Sequence, residues 1–227
     1  MSKPGDSMSK PGGSMSHWQM ATVLIIDLDG VVRNWDPSVA RAAEERHGLP
    51  AGSIEGEAFA ADALGAAITG KVSDEEWRSG VAETLAARYG PLGAQAVQEW
   101  SASCGTVNVA VLDLVRQQRG LRRVALFSNA TTRLTADLVQ LGLDREFDAV
   151  FNSSALGSVK PDEAAFRAVL EALGTGPADV LFVDDTAGHV AAAAALGLRA
   201  HQFRSVAALA EFLAAHPPEP EQPEPDG

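Results

Sequence analysis

Five short runs of apolar and β-branched residues, separated by helical patterns, constrain most strongly what this chain can fold into. The runs lie at residues 22–26, 123–127, 149–151, 180–183 and 199–203. A continuous apolar run of about five residues suits a strand that is buried on both faces of a sheet. Helical patterns that end before a glycine lie at residues 132–141, 162–173 and 189–196. Alternating strands and helices with short connections predict an α/β fold built on a parallel sheet.

Residues 33–108 interrupt this alternation between the first and second runs. They are rich in Ala, Glu and Arg, show helical spacing and contain no convincing strand. Within them, Ser73 and Glu76 have the spacing of a capping box, which marks the start of a helix. A helical segment inserted after the first strand predicts a small all-helical cap domain at 33–108, beside a core formed by 20–32 and 109–216.

The two ends of the chain differ in composition from the part between them. Residues 1–19 are rich in Gly, Ser and Pro and contain MSKPG twice, whereas residues 217–227 are acidic and rich in proline. Such segments lack the apolar side chains from which a core is built. We therefore expect a disordered leader and a disordered tail.

The charge of the chain disfavours one large class of partner. It has 30 acidic residues against 18 Lys and Arg, a formal net charge of -12. A surface this acidic repels phosphate backbones, so we expect no nucleic-acid partner. No stretch reaches the roughly 18 apolar residues of a membrane span, and the single cysteine, Cys104, suits a reducing compartment. We expect a cytoplasmic protein with no membrane partner, and the oligomeric state stays open.

Polar side chains follow three of the apolar runs at the point where each run ends. They are, in chain order, Asp27 and Asp29, Ser128 and Asn129, and Asp184 and Asp185. Lys160 lies between the third and fourth runs, directly before a proline and a helical pattern. Because ligands of open parallel sheets bind beyond the carboxyl ends of the strands, these residues are candidates for one shared site.

Taken one at a time, these residues also have purely structural explanations. Asp and Gly suit turns, Ser128 or Asn129 could cap the next helix, and Lys160 could be a surface lysine ahead of a helix-opening proline. Asp184 and Asp185 could form a solvated turn. The occurrence of all four groups in one chain favours a functional site over these separate explanations.

Four segments resemble, in the same order, the four motifs of the haloacid dehalogenase-like hydrolase superfamily. They are Asp27-Leu28-Asp29-Gly30-Val31-Val32, Phe127-Ser128-Asn129, Val159-Lys160-Pro161-Asp162 and Phe182-Val183-Asp184-Asp185-Thr186. A lone DxDG is a weak signal, but four ordered motifs at strand ends are a strong one. The resemblance covers nearly all of residues 22–203 and implies a Rossmann-like core with a helical cap after the first motif.

The resemblance implies a role for each motif residue in a phosphatase reaction. Asp27 would attack phosphorus and form an aspartyl-phosphate, which splits a hard hydrolysis into two steps. Lys160 would neutralise a phosphoryl oxygen, while Ser128 and Asn129 would contact the phosphate. Asp29 would protonate the leaving alkoxide and then activate water.

The resemblance also implies a magnesium ion, because an anionic aspartate meets an anionic phosphate only with charge compensation. The side chains of Asp27 and Asp185 would bind the ion directly. Asp29 would contribute its backbone carbonyl, and Asp184 would act mainly through water. Family members that cleave carbon–halogen bonds usually lack the second aspartate, so the presence of Asp29 favours a phosphatase.

We therefore expect a magnesium-dependent phosphomonoester hydrolase whose partner is a small phosphorylated metabolite. A sugar phosphate or another small organophosphate is the expected substrate, because a cap that closes over the site favours compact molecules. A phosphotransferase or phosphomutase on the same intermediate is the alternative. A 2-haloacid dehalogenase and a non-catalytic scaffold are less favoured.

Four further residues have open or secondary interpretations. Trp35 could determine substrate specificity by lining the mouth of the site, or it could pack at the cap hinge. His189 stands where many relatives have asparagine, and we expect it to cap a helix or brace a loop. Trp77 and Trp100 fall in the helical insertion, where cap-core packing is favoured over contact with a ligand.

Overall fold

A computed structural model of the protein describes residues 23–217. The strands of this part are β1 (Val23–Ile26), β2 (Arg33–Asn34), β3 (Thr106–Val107), β4 (Arg123–Ser128), β5 (Ala149–Asn152), β6 (Val180–Asp184) and β7 (Arg199–Gln202). Its α-helices are α1 (Ser38–His47), α2 (Ser53–Ala58), α3 (Ala61–Ile68), α4 (Asp74–Tyr89), α5 (Pro91–Ser101), α6 (Val109–Arg119), α7 (Leu134–Gln140), α8 (Ser153–Leu156), α9 (Glu163–Leu173), α10 (Ala187–Ala195) and α11 (Val206–Ala214).

Five of these strands form one parallel sheet in the order β5-β4-β1-β6-β7. The central strand, β1, lies between β4 and β6, with Leu24 in register with Val124 and Leu181. Each of the five apolar runs of the sequence forms one of these strands. The predicted α/β fold with a Rossmann-like parallel sheet is confirmed.

Helices cover both faces of the sheet, because successive side chains of a strand point to opposite faces. Leu24 and Ile26 belong to the apolar cluster that includes residues of α6, α7 and α11. Val23 and Ile25 belong to the cluster that includes residues of α9 and α10. All four side chains of β1 are buried, which explains why this strand reads as a continuous apolar run.

Helices α1 to α5 pack around an apolar cluster of their own, which contains Trp77, Val81 and Leu85 of α4. The predicted capping box is present at the start of α4. The Ser73 hydroxyl accepts from the backbone N–H of Glu76, and the Glu76 carboxylate accepts from that of Ser73. This helical unit contacts the segments that follow β4 and β5, where the N–H of Asp74 donates to the Thr132 hydroxyl and the Ser153 hydroxyl donates to the carbonyl of Ile68.

The expectation that residues 33–108 contain no strand is wrong at both ends of that segment. Arg33 and Asn34 of β2 pair antiparallel with Val107 and Thr106 of β3. Two-residue strands are too short to produce the alternation by which strands are detected in a sequence. The chain therefore enters and leaves the helical unit through one short two-stranded ribbon.

The predictions for the two ends of the chain fall largely beyond the structure. The leader at 1–19, and all but the first residue of the tail at 217–227, lie outside the described residues. Among residues 23–217, no helix combines the length and the apolar character needed to cross a membrane.

Candidate active site

The carboxyl ends of β1, β4 and β6 are neighbours in the sheet, and their polar residues meet in one cup. Asp27 and Asp29 follow β1, Ser128 ends β4, and Asp185 follows β6. These residues line a cavity of about 350 Å³ together with Gly30, Trp35, Asn129, Thr186 and His189. The structure thus brings the first, second and fourth motifs into contact with one space, as expected for the switch point of an open parallel sheet.

Asp27 lies at the bottom of this cup and is only 6% exposed. Its backbone N–H donates to the carbonyl of Val183 at 2.9 Å, which continues the β1–β6 pairing by one residue. Burial raises the pKa of its carboxyl to about 7. The positive charge of Lys160 lowers this pKa, and the negative charge of Asp184 raises it. Its Oδ1 lies 2.9 Å from Lys160 Nζ but receives no well-directed hydrogen bond from the described residues.

Lys160 is 2% exposed, so the explanation as a surface lysine is wrong. Its ammonium donates to Asp184 Oδ2 at 2.7 Å and to the carbonyl of Phe127 at 2.9 Å. Asn129 holds the same loop, since its side chain accepts from the N–H of Lys160 at 2.9 Å and donates to its carbonyl at 2.8 Å. The Asn129 side chain is therefore a clamp on the lysine loop, and it does not cap a helix.

Asp184 is fully buried, which excludes a solvated turn at this residue. Its Oδ1 accepts from the backbone N–H of Thr186 at 2.9 Å, and His189 Nδ1 lies 3.0 and 3.1 Å from its two oxygens. Burial opposes ionisation, but hydrogen bonding with His189 and the charge of Lys160 lower the pKa of Asp184. His189 therefore braces the buried carboxylate from the first turn of α10.

Asp27, Asp184 and Asp185 form a candidate cation site. One carboxylate oxygen from each of them lies within 4.8 Å of the others. Gly30 faces this cluster with φ +76°, and a Cβ there would overlap Asp185 Oδ2. The Asp185 side chain is further fixed by the Thr186 hydroxyl, which donates to its Oδ1 at 3.0 Å. Three close carboxylates with one ammonium leave net negative charge, which suits a bound cation.

Asp29 lies at the mouth of the cup, with its side chain 35% exposed. Arg33 donates to the Asp29 carboxylate through two of its three guanidinium nitrogens, Nε to Oδ1 at 2.7 Å and Nη2 to Oδ2 at 3.0 Å. The indole N–H of Trp35 donates to the same Oδ1 at 2.7 Å. Arg33 is itself buried and reaches Asp137 Oδ2 at 2.9 Å through its third nitrogen. Burial opposes its charge, but the two carboxylates raise the pKa of Arg33 above its usual range.

A further arginine extends this network to the helical unit. Arg133 Nε donates to Asp137 Oδ1 at 2.7 Å, and its Nη1 donates to the carbonyl of Ser101 at the end of α5 at 2.6 Å. Arg33, Asp137 and Arg133 are not among the site residues predicted from the sequence. A spacing of four brings two side chains together on a helix, but Asp29 lies in a turn and Arg33 in β2, so it gave no signal here.

Ser128 is 1% exposed, and no hydrogen bond to its hydroxyl occurs within residues 23–217, so the hydroxyl is available to a ligand in the cup. Trp35 is 45% exposed and lines both the cup and a second cavity of about 520 Å³ between the sheet and the helical unit. It lies at the mouth of the site and also near the β2–β3 ribbon, so its two proposed positions coincide.

Trp77 and Trp100 likewise combine the two interpretations that the sequence allowed. Both belong to or pack against the apolar cluster of the helical unit, and both also line the larger cavity. The indole N–H of Trp77 donates to the carbonyl of Ala58 at 3.1 Å, which fixes the ring against α2. The predicted packing in the cap core is therefore only part of their role, because both rings also face the larger cavity.

Comparison with known proteins identifies a matching family, individual relatives and solved structures of similar fold. A family model for haloacid dehalogenase-like hydrolases matches residues 21–197. A phosphatase of Mycobacterium tuberculosis (strain CDC 1551 / Oshkosh) is 35% identical over 86 residues, which are 37% of this chain and 40% of that protein. The match thus spans less than half the length of this relative.

Solved structures share the fold across most of the chain. A family enzyme from Bacteroides thetaiotaomicron, an aspartate-to-alanine mutant in complex with magnesium and inorganic phosphate, superposes with a TM-score of 0.68. It is 21% identical, and the match covers 81% of this chain and 94% of that one. L-2-haloacid dehalogenase from Xanthobacter autotrophicus, with chloropropionic acid covalently bound, gives a TM-score of 0.59 at 25% identity, over 88% and 85% of the two chains.

Proposed function

This chain belongs to the haloacid dehalogenase-like hydrolases, and we propose that it is a cytoplasmic, magnesium-dependent phosphomonoester hydrolase with Asp27 as its nucleophile. The observation that carries the proposal is the position of Asp29 at the mouth of the cup in which Asp27 is buried. A second carboxylate at this place can provide the proton that an alkoxide leaving group needs. Displacement of halide from carbon has no such requirement.

The donor set fits magnesium. Asp27, Asp184 and Asp185 offer carboxylate oxygens, the ligands that Mg²⁺ prefers, and one Asp27 oxygen has no well-directed hydrogen bond within the described part. We propose Asp27 and Asp185 as direct side-chain ligands, the backbone carbonyl of Asp29 as another, and Asp184 as a support through water. When bound, the ion supplies positive charge that offsets the charge of the nucleophile and of the phosphoryl group.

The first step transfers the phosphoryl group to the enzyme. A carboxylate oxygen of Asp27 attacks phosphorus, the bond between phosphorus and the ester oxygen breaks, and Asp29 gives a proton to the departing alkoxide. Lys160 and the Ser128 hydroxyl stabilise phosphoryl oxygens during the transfer. The Oδ1 of Asp29 already accepts two hydrogen bonds and its Oδ2 only one, so we propose Oδ2 as the oxygen that carries the proton.

The second step hydrolyses the aspartyl-phosphate. Asp29 takes a proton from a water molecule, the water oxygen attacks phosphorus, and the bond between phosphorus and Asp27 breaks to release phosphate. The donors from Arg33 and Trp35 keep the Asp29 carboxylate in one orientation through both steps. Such positioning supplies much of the rate enhancement in phosphoryl transfer.

The proposal is tested by phosphate release from a panel of phosphomonoesters, with magnesium and with EDTA. Release that requires magnesium is the expected result. Isomerised sugar phosphates without free phosphate would instead indicate a mutase. Halide release from 2-chloropropionate without phosphatase activity would indicate a dehalogenase, and either result would overturn the proposal.

Substitution of Gly30 by alanine tests whether the three-carboxylate cluster is the metal site. The new methyl group would displace Asp185 Oδ2, so we expect the magnesium concentration for half-maximal activity to rise about tenfold or more. The measurement is a magnesium titration of phosphate release, with magnesium-induced thermal stabilisation as a second readout.

Gly48→Ala is the matched control for this substitution. Gly48 has a similar φ of +70° but no atom within 4 Å of the added Cβ, so it reproduces the backbone strain without the overlap. We expect it to lose about 1 kcal/mol of stability and to keep the magnesium response. An equal magnesium response in the two variants would contradict the assignment of the metal site.

A further inference from the structure

The two cavities of the site share part of their lining, and this shared lining indicates where the alcohol part of a substrate lies. The cup that contains Asp27 and the larger cavity of about 520 Å³ share Asp29, Trp35 and Asn129 in their walls. A phosphoryl group on Asp27 would direct its ester oxygen past Asp29 toward this larger space. Its volume is in the range of pockets that enclose a small organic molecule.

The wall of the larger cavity is mainly apolar and aromatic. It includes Trp35, Phe59, Leu64, Ile68, Trp77 and Trp100. Phe59 and Trp35 are 53% and 45% exposed, a high exposure for large apolar side chains that face one space. Trp100 makes edge contacts with Trp77 and Phe59, with ring centroids 5.9 and 6.4 Å apart. These rings form a fixed surface that can contact a flat or branched hydrocarbon group.

The charged groups of the wall argue against a second anionic group on the substrate. Arg33 and Arg78 are the basic residues of this lining, and both are already paired. Arg33 binds Asp29 and Asp137, and Arg78 binds Asp74 at 2.7 Å. Asp36 and Glu55 add negative charge to the same wall, so a second carboxylate or phosphate would meet repulsion.

Two further contacts argue against a polyhydroxylated sugar and against an ammonium group. The Thr131 hydroxyl donates to Asp74 at 2.7 Å, and the Asn129 amide is occupied on both sides by the backbone of Lys160. These two neutral polar groups of the wall are thus unavailable to sugar hydroxyls, which lose water on entering the cavity. The faces of Trp77 and Trp100 already receive the guanidinium of Arg78, 5.2 and 4.8 Å from their centroids, which occupies the cation–π position.

We propose that the substrate is the phosphate monoester of an uncharged, mainly apolar alcohol, seated between the aromatic side chains of the helical unit and the cup. This inference rests on the proposed function, and it favours a small organophosphate with a hydrocarbon group over the sugar phosphate that the sequence also allowed. The reaction is the two-step hydrolysis described above. The ester bond breaks, the alcohol leaves with the proton from Asp29, and water supplies the oxygen of the free phosphate.

The test compares two primary esters of similar ring size, cyclohexylmethyl phosphate and glucose 6-phosphate. We expect kcat/KM to be about 100-fold higher, or more, for the cyclohexylmethyl ester. 2-Phosphoglycolate and phosphocholine are expected to be poor substrates, and preference for either one, or for glucose 6-phosphate, would overturn the substrate class. Acetyl phosphate, an acyl phosphate whose small leaving group fills little of the larger cavity, serves as the reference for the phosphoryl site. If no phosphomonoester of the panel is hydrolysed the proposed function fails, whereas hydrolysis with a preference for the sugar ester contradicts only the substrate class.

Phe59→Ser tests whether the preference for the apolar ester arises in this larger cavity. We expect it to lower the ratio of kcat/KM for cyclohexylmethyl phosphate over acetyl phosphate by about tenfold. The control is Leu92→Ser, since Leu92 is also a large apolar residue of the helical unit, 48% exposed, and lies outside the lining. It is expected to leave the ratio unchanged. A ratio that stays constant in Phe59→Ser, or falls equally in both variants, would contradict the proposal.

Discussion

Asp27→Asn is expected to reduce phosphate release by about 10³-fold or more, because an amide cannot replace a carboxylate as nucleophile. The fold should be retained, since asparagine has the same shape and the position is buried. In the native site two buried carboxylates share the ammonium of Lys160. In the variant Lys160 and Asp184 remain as a balanced pair, so we expect no loss of thermal stability.

The measurement combines phosphate release with acid quenching and mass spectrometry of the protein. A covalent phosphoryl group should appear on the native enzyme during turnover and be absent from Asp27→Asn. Asp113→Asn is the matched control, because Asp113 is 58% exposed on α6 and undergoes the same chemical change. Equal turnover of Asp27→Asn and the native enzyme would show that another residue is the nucleophile.

Lys160→Met is expected to lower the free energy of unfolding by about 3–5 kcal/mol in the absence of metal. Methionine fills a similar volume, but Asp27 and Asp184 would then lie buried without a cation between them. The free energy is measured by urea denaturation in EDTA. Magnesium should restore part of the loss, because a cation in the carboxylate cluster would again offset their charge.

Two further variants test whether uncompensated buried charge causes the loss of stability in Lys160→Met. Lys71→Met removes an exposed lysine and is expected to change stability by no more than about 0.5 kcal/mol. Adding Asp184→Asn to Lys160→Met removes one of the two uncompensated carboxylates and should recover part of the stability. A loss of similar size in Lys71→Met, or no recovery in the double variant, would mean that buried charge is not the cause.

The sheet could be predicted because burial on both faces leaves a continuous apolar run in the sequence, as in Val23–Ile26. The neighbouring positions of Asp27, Ser128 and Asp184 follow from the same prediction, since parallel strands end at one edge of the sheet. Strand periodicity carries no information about β2 and β3, which are two residues long.

The contacts of Asp29 could not be predicted in the same way. Its partner Arg33 also binds Asp137, which lies 104 residues further along the chain, and no local pattern connects residues so far apart. The orientation of Phe59 was equally inaccessible, because helical spacing separates buried from exposed faces but does not tell a cavity from open solvent. Long-range side-chain geometry therefore had to come from the structure.

The β2–β3 ribbon has a consequence for how enzymes of this design can diversify. Arg33 pairs with Val107 and Asn34 with Thr106, so the chain leaves and rejoins the core at adjacent points, one strand spacing of about 5 Å apart. Apart from Trp35, which donates to Asp29, the segment between them can vary in length and composition without moving the strand ends at Asp27 and Ser128. Selection for a new substrate can thus act on this segment, while the residues at the strand ends stay unchanged.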